Sequence, residues 1–259
     1  MEPSEIKAAA ELLSYNRLAL RRLEGLPPHL TPADENDAYA IQAEVNDRLA
    51  AAFGPRTGWK IGCTTSTMRR FLSIAQPCAG EMFRRFMLPS IAEVPRRCFV
   101  RPGVECEIAV ELAKPLAGRT REEVADCVWA VQASIEIVDD RYEDYAGLGV
   151  RTLIADNFFN AGCVLGPPVT AWRELDLAAL EGGMWVNGTK IGGGRGADIL
   201  GHPLEALAWL ARRLAQLGRE VPAGAVVTLG SLVQTAWVSQ GDNVEIEIGG
   251  LGAARVRFV

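Results

Sequence analysis

The chain has 259 residues, 49% hydrophobic and 23% charged, with 27 Lys and Arg against 32 Asp and Glu for a formal charge of −5. A chain of this size and composition can bury a large core without staples, and it carries no basic block to track a phosphate backbone, which argues against nucleic acid as a partner. No apolar run approaches the roughly 18 residues that span a bilayer, residues 1–10 lack a basic-then-apolar leader, and Cys63, Cys78, Cys98, Cys106, Cys127 and Cys163 form no CxxC pair, so a cytoplasmic protein with reduced thiols and no membrane partner is expected.

Apolar positions at helical spacing, from Ile6 through Leu13 and Leu18 to Leu23, predict a first helix over residues 4–24, stopped by Gly25 and Pro27-Pro28. A second is predicted to start at Thr31-Pro32, cap and first turn, and to run through Tyr39, Ile41, Val45 and Leu49 to Gly54. These make an N-terminal helical segment, residues 1–55, which is small for a core of its own. From residue 56 the pattern changes to short strands and turns. Val104 to Leu112 alternates strictly, and Thr120-Arg-Glu-Glu123 is a capping box expected to open a helix through Val131. Ile135 to Val138 reads as a buried strand, and Trp185 to Lys190 as a hairpin turning on Asn187-Gly188. Pro203 to Leu217 is a strongly amphipathic helix, and Val244–Ile248 with Ala254–Phe258 forms a last hairpin. Strands outnumber helices, so residues 56–259 are expected to be an α+β domain on a largely antiparallel or mixed sheet.

Only His29 and His202 are present, with no HxxxH pair and no GxSxG elbow, which leaves acid–base work to carboxylates, Lys or Tyr. On the strand Val104–Leu112 the side chains of Glu105 and Glu107 share a face about 7 Å apart. At an effective dielectric of 20 they repel by roughly 2 kcal/mol. A solvated strand face is the plain reading of such an ExE. The chain supplies a control: Glu245 and Glu247 form the same pattern, but Arg255 and Arg257 alternate on the next strand and offer cross-strand partners. Glu105 and Glu107 have no local counterpart. Glu136 stands in Ala130-Val-Gln-Ala-Ser-Ile-Glu-Ile-Val138, so it must be paired (Arg141 is one candidate), protonated or bound to a cation. Three carboxylates without a His or Cys cluster suit a hard, oxygen-seeking ion, Mg2+ or Mn2+. Lys60, in Gly58-Trp-Lys-Ile-Gly62, either snorkels to solvent or faces these carboxylates; in the second case, with a dication, it brings the site to neutrality for an anionic chelating substrate. Gly192 to Ala197 matches a relaxed dinucleotide fingerprint, but no helix opens there. Ser231 has no evident base and is more readily a turn or binding group than a nucleophile.

These residues fall in an order and spacing that resembles the fumarylacetoacetate hydrolase superfamily, in its 2-keto-4-pentenoate hydratase branch. The likeness runs through Asp37-Ala-Tyr-Ala-Ile-Gln42, Gly58-Trp-Lys-Ile-Gly62, Val104-Glu-Cys-Glu-Ile108, Ile135-Glu-Ile-Val-Asp139, Asp156-Asn157, Gly201-His-Pro-Leu204 and Gly230-Ser-Leu-Val233. It implies a mixed β-roll core with an N-terminal helical segment, a homo-oligomer, metal ligands at Glu105, Glu107 and Glu136, and an active-site lysine at Lys60. The implied activity is hydration of a small anionic 2-oxoacid, a 2-hydroxy-2,4-dienoate, to a 4-hydroxy-2-oxoacid, as in aromatic-compound catabolism. The rivals are a vinylogous 2-oxoacid decarboxylase, a C–C hydrolase of acylpyruvate type and a non-catalytic partner of such an enzyme. The chain departs from the branch where Cys78 replaces an acidic residue, where Phe159-Asn160 replaces serines, and in Thr228-Leu-Gly-Ser231. Cys78, Asn160, Thr228 and Ser231 are therefore the expected substrate contacts.

Overall fold

In the computed structural model, which describes residues 1–117 and 120–259, helix α1 spans Pro3–Leu18. It ends six residues short of the expected boundary because Leu20 turns left-handed (φ 51°) and Leu23 leaves to bridge Tyr142. Helix α2, Glu35–Phe53, starts later than expected. Asp34, not Thr31, is its cap, accepting from the Asp37 amide at 2.9 Å. The Thr31 hydroxyl instead donates to the Pro27 carbonyl at 3.1 Å and closes a short 3-10 turn. The two helices pack through Ala9, Leu13, Ile41, Val45 and Leu49. Gln42 then ties α2 to the body by donating to the carbonyls of Ala79 and Ile154.

The strands follow as β1 (Arg56–Gly62), β2 (Cys78–Phe83), β3 (Met87–Leu88), β4 (Ile91–Val94), β5 (Pro102–Leu112), β6 (Val128–Asp139), β7 (Asn160–Leu165), β8 (Glu181–Val186), β9 (Thr189–Arg195), β10 (Val226–Ser231), β11 (Ala236–Trp237), β12 (Asn243–Ile248) and β13 (Gly252–Phe258). Helices α3 (Ser66–Phe71), α4 (Arg121–Ala125), α5 (Val150–Ala155) and α6 (Pro203–Gln216) interrupt them. The Thr120–Glu123 capping box is present, but α4 stops at Ala125 because Val128 onward pairs with β5. Strand pairing with a buried neighbour outweighs the local helix start. The hairpin β8–β9 turns on Asn187 (φ 51°) and Gly188 (φ 79°), the left-handed pair that a two-residue hairpin needs. No helix follows β9 beyond a short 3-10 turn, Gly196–Asp198.

One sheet runs β2-β1-β10-β5-β6-β7-β3 with β11 added on β5; the other runs β4-β13-β12-β8-β9. Both mix parallel and antiparallel neighbours. They pack face to face over Val104, Cys106, Ile108, Ile135, Ile246 and Val256, and α6 covers the flank with Leu204, Leu207 and Leu210. The first sheet curls until β2 approaches β7, and its inner face holds Met82, Ala109, Cys163 and Val226. This is the mixed β-roll expected of the sequence. No helix among the described residues is long and apolar enough to cross a membrane.

Arg141, on the turn after β6, does not meet Glu136. It is buried against Asp156, with its Nη2 donating to Oδ2 at 2.8 Å and Nε at 3.2 Å, and the Tyr142 hydroxyl donates to the same oxygen at 3.1 Å. Removing one partner of a buried pair leaves the other charge uncompensated. Arg141→Met should therefore cost about 3–5 kcal/mol in urea unfolding. The exposed Arg255–Glu245 pair, 2.6 Å apart across β12 and β13, should be removable with little measurable change. Arg257, its expected companion, meets Glu93 on β4 instead of Glu247, because the register sets Glu247 opposite Ala253.

Candidate active site

Strand register builds the site. Residues opposite one another across an antiparallel pair point to the same face. Glu105 on β5 lies directly opposite Glu136 on β6, and Glu107 lies opposite Ser134. Lys60 on β1 is level with Thr228 on β10, which in turn faces Ala109 on β5. All of these side chains enter the inside of the curl. Each of Glu105, Glu107 and Glu136 offers one carboxylate oxygen within 4.8 Å of the others. Lys60 is buried as well, with Nζ 3.3 Å from Glu136 Oε1 and 4.9 Å from the centre of the Phe158 ring.

Each carboxylate has a separate anchor. Asn160 Nδ2 donates to Glu136 Oε1 at 3.0 Å, the Gly230 amide donates to Glu107 Oε2 at 2.9 Å, and the Thr235 hydroxyl donates to Glu105 Oε1. Gly230 is required there: its φ is +114°, and a Cβ would collide with the Thr64 side chain. Glu136 Oε2 is buried and has no hydrogen-bond partner among the described residues. Burial, and then the charge of Glu136, push the Glu105 carboxyl above its ordinary value. Burial, then Glu136 and Glu105, push Glu107 well above it. Burial works against the Lys60 charge, but Glu136, Glu105 and Glu107 outweigh it and the ammonium is held above its ordinary value. Three hard oxygen donors this close, one of them unsatisfied, have the geometry of a site that can hold a divalent cation.

A cavity of about 500 Å3 opens over these groups. Glu105, Glu107, Lys60 and Ser231 line it, together with Cys63, Thr64 and Thr65 after β1, Phe158 and Phe159 before β7, and Tyr145, Thr235 and Trp237 toward the mouth. Three of the expected substrate contacts lie elsewhere. Cys78 is buried in the core on β2, beside the Cys63 thiol that does face the cavity. Thr228 is wholly buried with its hydroxyl unpartnered, and Asn160 is turned to Glu136 instead of the cavity. Ser231 Oγ donates to the Val233 carbonyl at 2.6 Å, so its hydroxyl serves the turn at the cavity edge.

Sequence reasoning does not find Thr235, Phe158 or Arg17. Arg17 reaches from α1 to donate through Nη2 to the Asn160 carbonyl, and so fixes the residue that holds Glu136. Burial, then the neighbouring Arg141, bring its guanidinium down to about 9, still charged at neutral pH. No local pattern marks an arginine whose partner lies far along the chain. Asn157, Phe158 and Phe159 all have left-handed backbone, φ 58°, 46° and 65°. For bulky residues that conformation is costly and persists only where the surroundings impose it. The surroundings here are specific: Asn157 Oδ1 accepts from the Glu81 amide at 2.8 Å and its Nδ2 donates to the Glu81 carbonyl at 2.6 Å. The Asp156-Asn157 pair is the one sequence signal for this segment.

A family model described as fumarylacetoacetate (FAA) hydrolase C-terminal matches residues 83–259. A 2-keto-4-pentenoate hydratase of Paraburkholderia phymatum is 35% identical over a 261-residue alignment, covering 99% of this chain and 98% of that one. A 4-oxalocrotonate decarboxylase of Pseudomonas putida is 32% identical over 235 residues, covering 90% and 87%. The structure of the 4-oxalocrotonate decarboxylase from Pseudomonas putida G7, complexed with magnesium and adipate, superposes with a TM-score of 0.94 at 28% identity, over 100% of this chain and 99% of that chain.

Crowded carboxyls make the metal-free protein sensitive to pH in a defined direction. A glutamic acid whose folded value is raised binds its proton more tightly in the folded state. Its stabilising contribution is complete below the ordinary value of 4.5 and is lost as pH rises toward the folded value. With a chelator present, Glu107→Gln should melt higher than the wild type at pH 8 and converge with it at acidic pH. Equal melting temperatures at both would show that Glu107 carries no such penalty.

Proposed function

The chain belongs to the fumarylacetoacetate hydrolase family, and on that premise we propose that it is a divalent-metal-dependent hydratase adding water to a 2-hydroxy-2,4-dienoate, giving a 4-hydroxy-2-oxoacid. The observation that carries hydration over decarboxylation of a dicarboxylate is the charge of the cavity wall. Lys60 is the one cationic side chain among its described lining residues. Of the arginines nearest in sequence or fold, Arg69 donates to the carbonyls of Cys63 and Thr64, Arg141 is paired with Asp156, Arg101 is stacked on Trp237 at 4.1 Å, and Arg70 is exposed on α3 outside the lining. A substrate with one carboxylate is matched by one lysine; a second carboxylate would meet no further cation in the lining, which carries another carboxylate, Asp198.

Glu105, Glu107 and Glu136 would hold the cation, Mg2+ or Mn2+. Their fit rests on the all-carboxylate donor set and on the unsatisfied Glu136 Oε2. The ion supplies Lewis acidity toward the substrate's 2-oxygen. Lys60 binds the substrate carboxylate and neutralises the charge that three glutamates and a dication leave over. Phe158 under its ammonium and Glu136 beside it fix its direction. Asn160, Thr235 and the Gly230 amide hold the three carboxylates in place so that they need not reorganise during turnover. Cys78 lies away from the cavity lining, so the water-handling group is sought among the lining hydroxyls, such as those of Thr64, Thr65 and Tyr145. We assign residues 1–55 as the helical segment and 56–259 as the catalytic domain of a cytoplasmic homo-oligomer of the aromatic-catabolic type.

Three measurements test the reading. Glu136→Gln should keep the fold and lose most Mn2+ affinity in titration calorimetry, while Glu245→Gln keeps it; unchanged binding in Glu136→Gln removes that residue from the site. Lys60→Met should weaken oxalate binding at least tenfold more than it weakens metal binding. With Mg2+ present, 2-hydroxypenta-2,4-dienoate should give a product heavier by one water. Carbon dioxide released from a 2-oxo-3-enedioate, with no hydration, assigns the decarboxylase instead. Silence on both substrates with metal bound assigns a non-catalytic partner subunit.

A further inference from the structure

The cavity is larger than its proposed head chemistry requires. A five-carbon 2-hydroxydienoate has about eight non-hydrogen atoms, whereas pockets of roughly 300–1,000 Å3 receive drug-sized molecules. The available space is about 500 Å3, and it is not uniformly lined. Starting at Lys60, a continuous series of rings runs outward. Phe158 lies under the ammonium, Phe159 stands 5.9 Å from Phe158, Tyr145 stands 5.4 Å from Phe159, and Phe71 stands 6.4 Å from Tyr145. Successive rings meet edge to face, an arrangement that holds each one in a fixed orientation. Phe158, Phe159 and Tyr145 line the cavity, and the series ends outside its lining at Phe71, 55% exposed on α3. Leu232, Val233 and Trp237 add further apolar lining.

The inner half of this series is maintained at a cost. Phe158 and Phe159 both sit in left-handed backbone that side chains of their size avoid. That segment is pinned on both sides, by Asn157 on the Glu81 backbone and by Arg17 on the Asn160 carbonyl. Structural strain retained this way points to what the strained residues present, and here they present two phenyl rings to the cavity beside the lysine.

We propose that the substrate carries a hydrocarbon substituent on C5 of the dienoate, lying along the Phe158–Phe159–Tyr145 series while the carboxylate and 2-oxygen occupy the Lys60 and glutamate end. The inference rests on the 2-oxoacid reading of that end. It makes the aromatic series the determinant of chain length, and the lack of a second cation beside Asp198 in the lining the barrier against a second carboxylate.

Binding of unreactive saturated 2-oxoacids tests it without relying on turnover. The Mn2+-loaded protein is titrated calorimetrically with 2-oxobutanoate, 2-oxohexanoate, 2-oxooctanoate and 2-oxoadipate. Burial of each further methylene should tighten binding about threefold to fourfold. The dicarboxylate should bind more weakly than 2-oxohexanoate. Phe159→Ser and Tyr145→Ser should each cut the ratio of 2-oxooctanoate to 2-oxobutanoate affinity at least threefold, and two variants on separate segments guard against one failing to fold. A flat series, tightest binding of 2-oxoadipate, or a ratio unchanged in both variants overturns the proposal. If the series holds but no dienoate is hydrated, the hydratase reading fails alone and the hydrocarbon channel stands. If no 2-oxoacid binds, both fail.

Discussion

Two carboxylates placed directly opposite each other on adjacent buried strands form the constraint from which the site follows. Glu105 and Glu136 are cross-strand partners, and like charges so paired oppose the sheet that holds them. A fold seeking stability alone would set apolar residues there, as it does on the other face of the same strands with Val104, Cys106 and Ile135. The opposition survives because Lys60 arrives from β1 and because each glutamate keeps a neutral donor of its own. A doubly charged cation relieves the same opposition further, so the protein's tolerance of these charges and its capacity for metal have one origin.

The helical segment participates in this arrangement more closely than its position in the chain suggests. Asn160 holds Glu136 with its side chain and is itself held through its carbonyl by Arg17. Arg17 shares its surroundings with Arg141, Asp139 and Asp156, a buried set of charges with near-balanced sign. α1 therefore ends where its guanidinium can enter the body, and the chain beyond it bridges to Tyr142 instead of continuing the helix.

How much of the fold and site is legible in the sequence depends on the range of the signal. Alternation along β5 and the apolar surroundings of Glu136 are local, so the residue pattern singles out the three glutamates and Lys60 as candidates, and the resemblance supplies the roles expected of them. The hairpin at Asn187-Gly188 and helix α6 are local too. Boundaries shift where a distant partner decides them: α1 stops for Tyr142, and α4 gives way to the pairing of Val128 with Leu112. Arg141 is close enough to Glu136 in sequence to suggest a pair, but it lies beyond the end of β6 and turns to Asp156. Cys78, Asn160 and Thr228 come from resemblance, which locates a segment without telling which way a side chain turns. Thr235 leaves no trace in sequence because its only notable act is one hydrogen bond across the cavity.

The parallel pairing of β1 with β10 sets Lys60 beside Thr228. Strand β1 can form its hairpin-like ladder with β2 early, but its other edge stays open until the last quarter of the chain is available. At ordinary synthesis rates of roughly 5–20 residues per second this interval is on the order of ten to thirty seconds. Throughout it, Trp59 and Ile61 lack their final cover, and the lysine has no glutamates to face. Contacts this far apart in sequence close late and slow folding. Emerging chains of this protein therefore pass through a state with an unpaired strand edge that chaperones can bind, and the reactive centre is completed only when the C-terminal part has been made.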